Sequence, residues 1–311
     1  MPLMPLTRQL LDRARLIGTI RVTRSRSTDT AVALDDADEE DAMAGNEITD
    51  NPIVPGRKVD FGLAAGDYAK HRAGFPDRFF ERLAVQLDLK PMMRALDIGT
   101  GTGTVARGLA RLGLTVEAVD PSEPLMDQAR TLDNAEGVAV AYQVGKAEAL
   151  PFPDGRFDVV TAGQCWHWFD RPTAAREAMR VLKPGGMLVH CHFDWLPIAG
   201  NMVEATEALI MRYNPAWRAD GGTGLHGHNL PDLSAAGFRD IETASFDIDQ
   251  PYSHEAWRGR IRASAGVKAT LDEDGVARFD ADHAALLAER FPQDPLLVPH
   301  RVWWATARKP S

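Results

Sequence analysis

Leu96-Asp97-Ile98-Gly99-Thr100-Gly101-Thr102-Gly103 decides the fold of this chain. An apolar run through Ala95, Leu96 and Ile98 meets an acid, breaks into alternating glycines, and resumes at helical spacing with Val105, Leu109 and Leu112. Glycines at a strand-to-helix turn let a ligand approach bare backbone that a Cβ would shield. A second acid, Asp120, closes the next apolar strand of Val116, Ala118 and Val119. It falls where a ribose-binding carboxylate is expected after such glycines. Together these features predict a nucleoside-cofactor pocket.

Working outward, strands are expected at about Arg94–Ile98, Thr115–Val119, Ala139–Val144, Phe157–Ala162 and Met187–Cys191. Helical patterns separate them, at about Thr104–Leu112, after Pro121, and at Ala174–Val181; Lys183-Pro184-Gly185-Gly186 reads as a turn. Upstream, Tyr68 and Arg72 lie on one helical pattern and Pro76 opens another through Phe79, Phe80, Leu83 and Leu87. Strands alternating with helices predict an α/β fold with a doubly wound, Rossmann-like parallel sheet and its ligand at the strands' carboxyl ends. Past His192 the alternation loosens. Helices are expected at Asn201–Arg212 and Leu230–Ala236, a loop at Gly221–Gly227, late strands at Asp240–Ile248 and His300–Ala307, and a helical insertion from His254 to about Arg290.

The chain has 311 residues and a net charge of −9, which argues against a partner that presents a phosphate backbone. Cys165 and Cys191 lack disulfide or metal-ligand spacing and read as reduced thiols. No apolar run is long enough to span a bilayer, so the expectation is a cytoplasmic protein with no nucleic-acid or membrane partner. Residues 1–56 place an arginine-rich opening before an acidic run (Asp35 to Asp41) and predict a disordered extension. An organelle transit peptide is the other reading of that opening, but it leaves the acidic run unexplained.

Four pieces occur in order: Leu96–Gly103; Val119-Asp120-Pro121-Ser122; Lys146-Ala147-Glu148-Ala149-Leu150-Pro151-Phe152; and Arg180-Val181-Leu182-Lys183-Pro184-Gly185-Gly186. This set resembles the class I S-adenosylmethionine-dependent methyltransferases of the type 11 domain, over about Tyr68 to Lys309. Gln164-Cys165-Trp166-His167-Trp168-Phe169-Asp170 and Tyr68…Arg72…Phe75-Pro76 resemble the small-molecule branch related to trans-aconitate methyltransferase. The resemblance implies a seven-stranded sheet with the last strand antiparallel and a helical lid or insertion. It divides the domain into a cofactor core over 57–192 and a substrate side with a closing hairpin over 193–311. It also implies S-adenosyl-L-methionine as cofactor and a small-molecule acceptor, a carboxylate or hydroxyl.

Carried over by residue, the resemblance puts Gly99, Thr100, Gly101 and Gly103 along the methionine and ribose, with Asp97 near the amino end. Asp120 takes the ribose hydroxyls, Ala147 and Glu148 flank the adenine, and Gln164 borders the methyl. Lys146 stands where many relatives have an acceptor for the adenine amino group, so backbone or Glu148 contacts are expected there. His167 is the base candidate, and its alternative is a packing role between Trp166 and Trp168. Tyr68, Arg72, Trp166 and His192 are candidate lid or substrate residues; for Tyr68 and Arg72 a plain surface helix is the alternative.

Other patterns read as uneventful. A metal site from His190, Cys191, His192 and Asp194 is not expected, since a strand sends alternate residues to opposite faces. Arg258, Arg260 and Arg262 read as a solvated helix face, and His226 and His228 as solubilising loop residues. A nicotinamide-dependent oxidoreductase is the first alternative function, but Thr104 occupies the place of the third glycine in its fingerprint. A non-catalytic protein that binds the same cofactor is the second. Nucleic-acid methylation is disfavoured because Gly163-Gln164-Cys165-Trp166 lacks the proline motifs of those enzymes.

Overall fold

A computed structural model describes residues 74–217, 222–264, 266–268 and 270–311. Tyr68, Arg72 and the expected N-terminal extension lie outside the described residues.

The sheet is built around β1 (Arg94–Ile98), which runs parallel between β2 (Thr115–Asp120) and β4 (Phe157–Gly163). A strand covered on both faces needs apolar side chains in both directions, and Ala95, Leu96 and Ile98 are fully buried. Beyond β2 lies β3 (Val140–Val144), and beyond β4 lies β5 (Leu182–Trp195). Next come β7 (Leu296–Arg308) and, at the edge, β6 (Arg239–Tyr252). The order is β3-β2-β1-β4-β5-β7-β6, with β7 antiparallel to both of its neighbours. The expected seven-stranded sheet with an inserted antiparallel last strand is thus observed. The chain builds outward in one direction from β1 and then in the other from β4, so the crevice at their carboxyl ends is the switch point where such sheets bind ligands.

Alternate residues of the central strands feed two cores. Ala95, Val116, Ala118, Val159, Val189 and Trp304 pack with α1 (Asp77–Gln86) and α2 (Thr104–Arg111). Leu96, Val160, Leu188 and Trp303 pack on the other face with α4 (Arg171–Val181) and α6 (Leu230–Ala235). Between them in the chain, α3 (Glu123–Glu136) lies against β2 and β3. A third core joins the expected insertion to α5 (Met202–Tyr213), which precedes it in the chain. There α5, α7 (His254–Arg262) and α8 (Glu273–Arg290) enclose Trp257, Phe279 and Leu287 against Tyr252, Leu296 and Val298.

Three sequence expectations change. Lys183–Gly186 is not a turn ahead of β5 but a bulge within it: Phe157 pairs with Leu182 and Val159 with Met187, so five positions of β5 span two steps of β4. β5 also runs on to Trp195, through His192 and Asp194, because β7 pairs with it as far as Trp195 opposite His300. Polar residues ended the apolar pattern, although the strand itself continued. α4 begins at Arg171 rather than Ala174, with Pro172 in its first turn, where a missing N–H costs nothing. Among the described residues, no helix is long and apolar enough to cross a membrane.

Candidate active site

Asp97 is the penultimate residue of β1 and is 1% exposed. Both of its oxygens are occupied: Thr100 Oγ1 and Thr161 Oγ1 each donate a hydrogen bond at 2.6 Å. Burial pushes its pKa up to about 6 in spite of these bonds. Thr100 also donates its backbone N–H to Val119 O at 3.1 Å, and Gly103 N–H reaches Thr100 O at 2.9 Å. The glycine turn is therefore tied to β1, β2 and β4 together.

Asp120 closes β2. Its Oδ2 accepts from Gly101 N at 2.8 Å and its Oδ1 from Ser122 N at 2.9 Å. Burial raises its pKa, opposed by these two backbone bonds. Gly101 has φ +54°, and a Cβ built on it would project into open space. Gly103 has φ +76°, and its Cβ would lie 2.4 Å from the Tyr142 hydroxyl. Gly101 therefore presents backbone to free volume, whereas Gly103 is required by packing.

Behind the turn lies a network that the sequence did not disclose. Arg107 Nε donates to Asp133 Oδ1 at 2.8 Å, and Arg107 Nη2 donates to Thr102 O at 2.9 Å. Tyr142 Oη donates to Asp133 Oδ2 at 2.8 Å. The ion pair is almost fully buried, and Glu136 Oε1 lies 3.7 Å from the same Arg107 nitrogen. Its signal was weak because Arg107 and Asp133 stand on different helices and meet only after both pack on the sheet.

The segment after β3 runs beside Asp120, with Gly145 N–H on Asp120 O at 3.2 Å. Ala147 is buried there, while Glu148 Oε1 accepts from Asp170 N at 2.9 Å. At the end of β4, Gln164 takes φ +57°, a left-handed conformation uncommon outside glycine. Its Nε2 donates to Phe193 O on β5.

Trp166 and His192 are far less available than a lid or substrate role needs. Trp166 is fully buried and its indole N–H donates to Asp232 at 3.2 Å, a consequence of the short 3₁₀ turn Trp166–Trp168 folding inward. His192 is 3% exposed. His167, on the same turn, lies against Trp168 at 4.8 Å and 6.0 Å from the His192 ring. His190 is fully buried and accepts from Asn229 Nδ2 at 3.0 Å, and burial holds its pKa well below the ordinary range.

Two readings of surface residues are corrected. His226 is no idle loop residue: its ring stacks on His192 at 3.5 Å, and its Nε2 lies 2.7 Å from Asp194 Oδ2. Burial would raise the Asp194 pKa, yet the adjoining His192 and His226 imidazoles hold it well below the usual carboxylate range. Nor do the three arginines form a solvated face. Arg258 and Arg262 both bind Asp280, and the Arg260 guanidinium lies 4.8 Å from the Trp195 ring centre. Helical spacing alone does not say which face another helix covers.

Comparison with known proteins matches residues 96–190 to the methyltransferase domain family. An uncharacterized methyltransferase of Mycobacterium tuberculosis is 38% identical over 130 residues, covering 42% of this chain and 50% of the relative. The chain thus spans about half the length of that relative. An uncharacterized protein of the same organism is 30% identical over 247 residues, covering 75% of this chain and 88% of its own length. The solved phosphoethanolamine N-methyltransferase 2 of Haemonchus contortus shares the fold, with a TM-score of 0.50 and 20% identity over 82% of this chain and 61% of that one. With the glycine turn, the strand-end acids and the sheet order already in place, these matches carry one conclusion: residues 96–190 of this chain form a methyltransferase domain.

Proposed function

We propose that this chain moves a methyl group from S-adenosylmethionine to a small-molecule acceptor bearing a carboxylate or a hydroxyl. The observation that carries the reading is Asp120. It is a buried acid that ends β2, holds Gly101 N–H, and stands beside the open volume in front of Gly101. That donor and acceptor set fits an adenosyl group: a carboxylate for two ribose hydroxyls, next to backbone with no side chain in the way.

When bound, the cofactor supplies an electrophilic methyl on a sulfonium. The chain's own residues then have positional tasks. Asp120 accepts from the ribose hydroxyls. Asp97 and Thr100 keep the turn in shape, Gly101 lets the backbone approach, and Gly99 and Gly103 let the turn pack against Phe169, Cys165 and Tyr142. Ala147 and Glu148 border the adenine, and Gln164 marks the methyl end at the tip of β4. Holding acceptor and methyl in line contributes roughly 7–11 kcal/mol without a catalytic side chain. A carboxylate acceptor needs no base. A hydroxyl acceptor gives its proton to His167, which adds roughly 10²–10⁴-fold. We assign cofactor binding to residues 57–192 and acceptor binding to 193–311.

The test is calorimetry of the purified chain with S-adenosylmethionine, S-adenosylhomocysteine and NAD(P), followed by a labelled-methyl assay on carboxylic acids, phenols, alcohols and amines. Binding of the adenosyl pair with transfer to a carboxylate or hydroxyl is expected. Preference for NAD(P), or transfer to amines alone, overturns the reading.

A further inference from the structure

The histidines at the carboxyl end of β5 lie outside the tasks just assigned, and their arrangement is specific. His192 and Asp194 are two residues apart on β5 and so share one face of the strand. The strand rule that split a ligand set of His190, Cys191, His192 and Asp194 between faces therefore does not separate these two. The third group comes from a loop distant in sequence. His226 Nε2 lies 2.7 Å from Asp194 Oδ2, His192 Nδ1 lies 3.7 Å from the same oxygen, and all three ligand atoms fall within 4.8 Å of one another.

The loop that brings His226 is anchored. Arg301 Nη1 donates to Thr223 O at 2.9 Å, while Arg301 Nε and Nη2 bind Asp247. Gly224 takes φ +65° where a Cβ would sit 3.0 Å from Arg301 Cβ. Asp194 stands opposite Arg301 in the β5–β7 ladder, so the residue that anchors the loop is the cross-strand neighbour of Asp194. Burial is graded: His192 is covered, whereas the His226 and Asp194 side chains are 21% and 33% exposed. One side of the cluster is thus walled by protein and the other faces solvent.

We propose that His192, Asp194 and His226 form a binding site for a divalent first-row transition metal ion. Two imidazoles and one carboxylate are the donor set that zinc and ferrous iron favour. With ligand bonds of about 2.0–2.2 Å, neighbouring donor atoms stand about 3.4 Å apart in a tetrahedral site. The separations of 2.7 and 3.7 Å bracket that spacing, and the His226 ring, stacked on His192 at 3.5 Å, turns out of the stack to aim both imidazole lone pairs at the ion. Three protein ligands leave positions open on the exposed side for water or for an oxygen-donor ligand, unlike the closed four-ligand pattern of structural sites. The carbonyl of Phe193, between two of the ligands, accepts from Gln164 and connects the site to the end of β4. The proposal does not depend on methyl transfer, because the ion is detected with no cofactor present.

The test uses the untagged full chain, stripped with a chelator and titrated with Co²⁺, read by visible ligand-field absorption and by elemental analysis. One equivalent is expected to bind, with Zn²⁺ displacing it and raising the melting temperature. Asp194→Asn and His226→Ala each weaken Co²⁺ binding by more than about a hundredfold, since loss of even an outer partner of a metal ligand typically costs 10–100-fold. His228→Ala, in the same loop, leaves affinity unchanged. If His226→Ala does not fold, His226→Gln replaces it. Absence of stoichiometric binding by the wild-type chain overturns the proposal, and so does undiminished affinity in both ligand variants. S-adenosylhomocysteine affinity, measured in parallel, separates failure of the metal site from failure of the methyltransferase reading.

Discussion

Replacing Asp120 by alanine is the most direct perturbation of the candidate cofactor site. The side chain is 7% exposed and engages Gly101 N and Ser122 N at 2.8 and 2.9 Å. A hydrogen bond to a charged group contributes on the order of 1.5–3 kcal/mol. Loss of one such bond to a ribose hydroxyl weakens binding by roughly 10–150-fold, at 1.4 kcal/mol per factor of ten. The fold is expected to survive. Burial already raises the Asp120 pKa, so removing the carboxylate relieves a desolvation cost while forfeiting two backbone bonds. The assay is titration calorimetry with S-adenosylhomocysteine, which binds without turnover, beside a thermal melt. Asp120→Asn keeps an acceptor oxygen but no charge, and its affinity falls between the wild type and the alanine variant. A folded Asp120→Ala protein with wild-type affinity refutes the placement of the ribose.

Three other outcomes are expected. Asp133→Ala leaves the buried Arg107 with only the half-exposed Glu136 carboxylate, at 3.7 Å, and costs up to about 3–5 kcal/mol in denaturant unfolding, whereas Tyr142→Phe, which removes one hydrogen bond to Asp133, costs only about 1–2 kcal/mol. Asp97, with its pKa raised from 3.8 to about 6 in the folded chain, contributes stability that is present below the lower value and lost as pH rises through the upper one. Unfolding free energy of the wild type relative to Asp97→Asn therefore falls by about 2 kcal/mol between about pH 4.5 and about pH 7, and a pH-independent difference contradicts the shift. His167→Ala, if His167 takes the acceptor proton, lowers turnover far more than cofactor affinity; equal loss of both, with a lower melting temperature, marks a packing role beside Trp168.

What the sequence determined by itself was the local grammar of the sheet. Strand-turn-helix signals act over a few residues, so the Leu96–Gly103 turn, the acid at 120 and the alternation through β5 were legible before any contact was known. The bulge at Lys183–Gly186 was not, because glycine and proline mark an irregularity without saying whether the ladder resumes beyond it. Only the tertiary structure decided which polar residues meet. Thr161 reaches Asp97 across two strands, Arg107 finds Asp133 between two helices, and His226 comes from a distant loop to Asp194. Such pairings carry no periodicity. They depend on how a twisted sheet and its helices bring remote segments into one low-dielectric space, where a buried charge must find its partner.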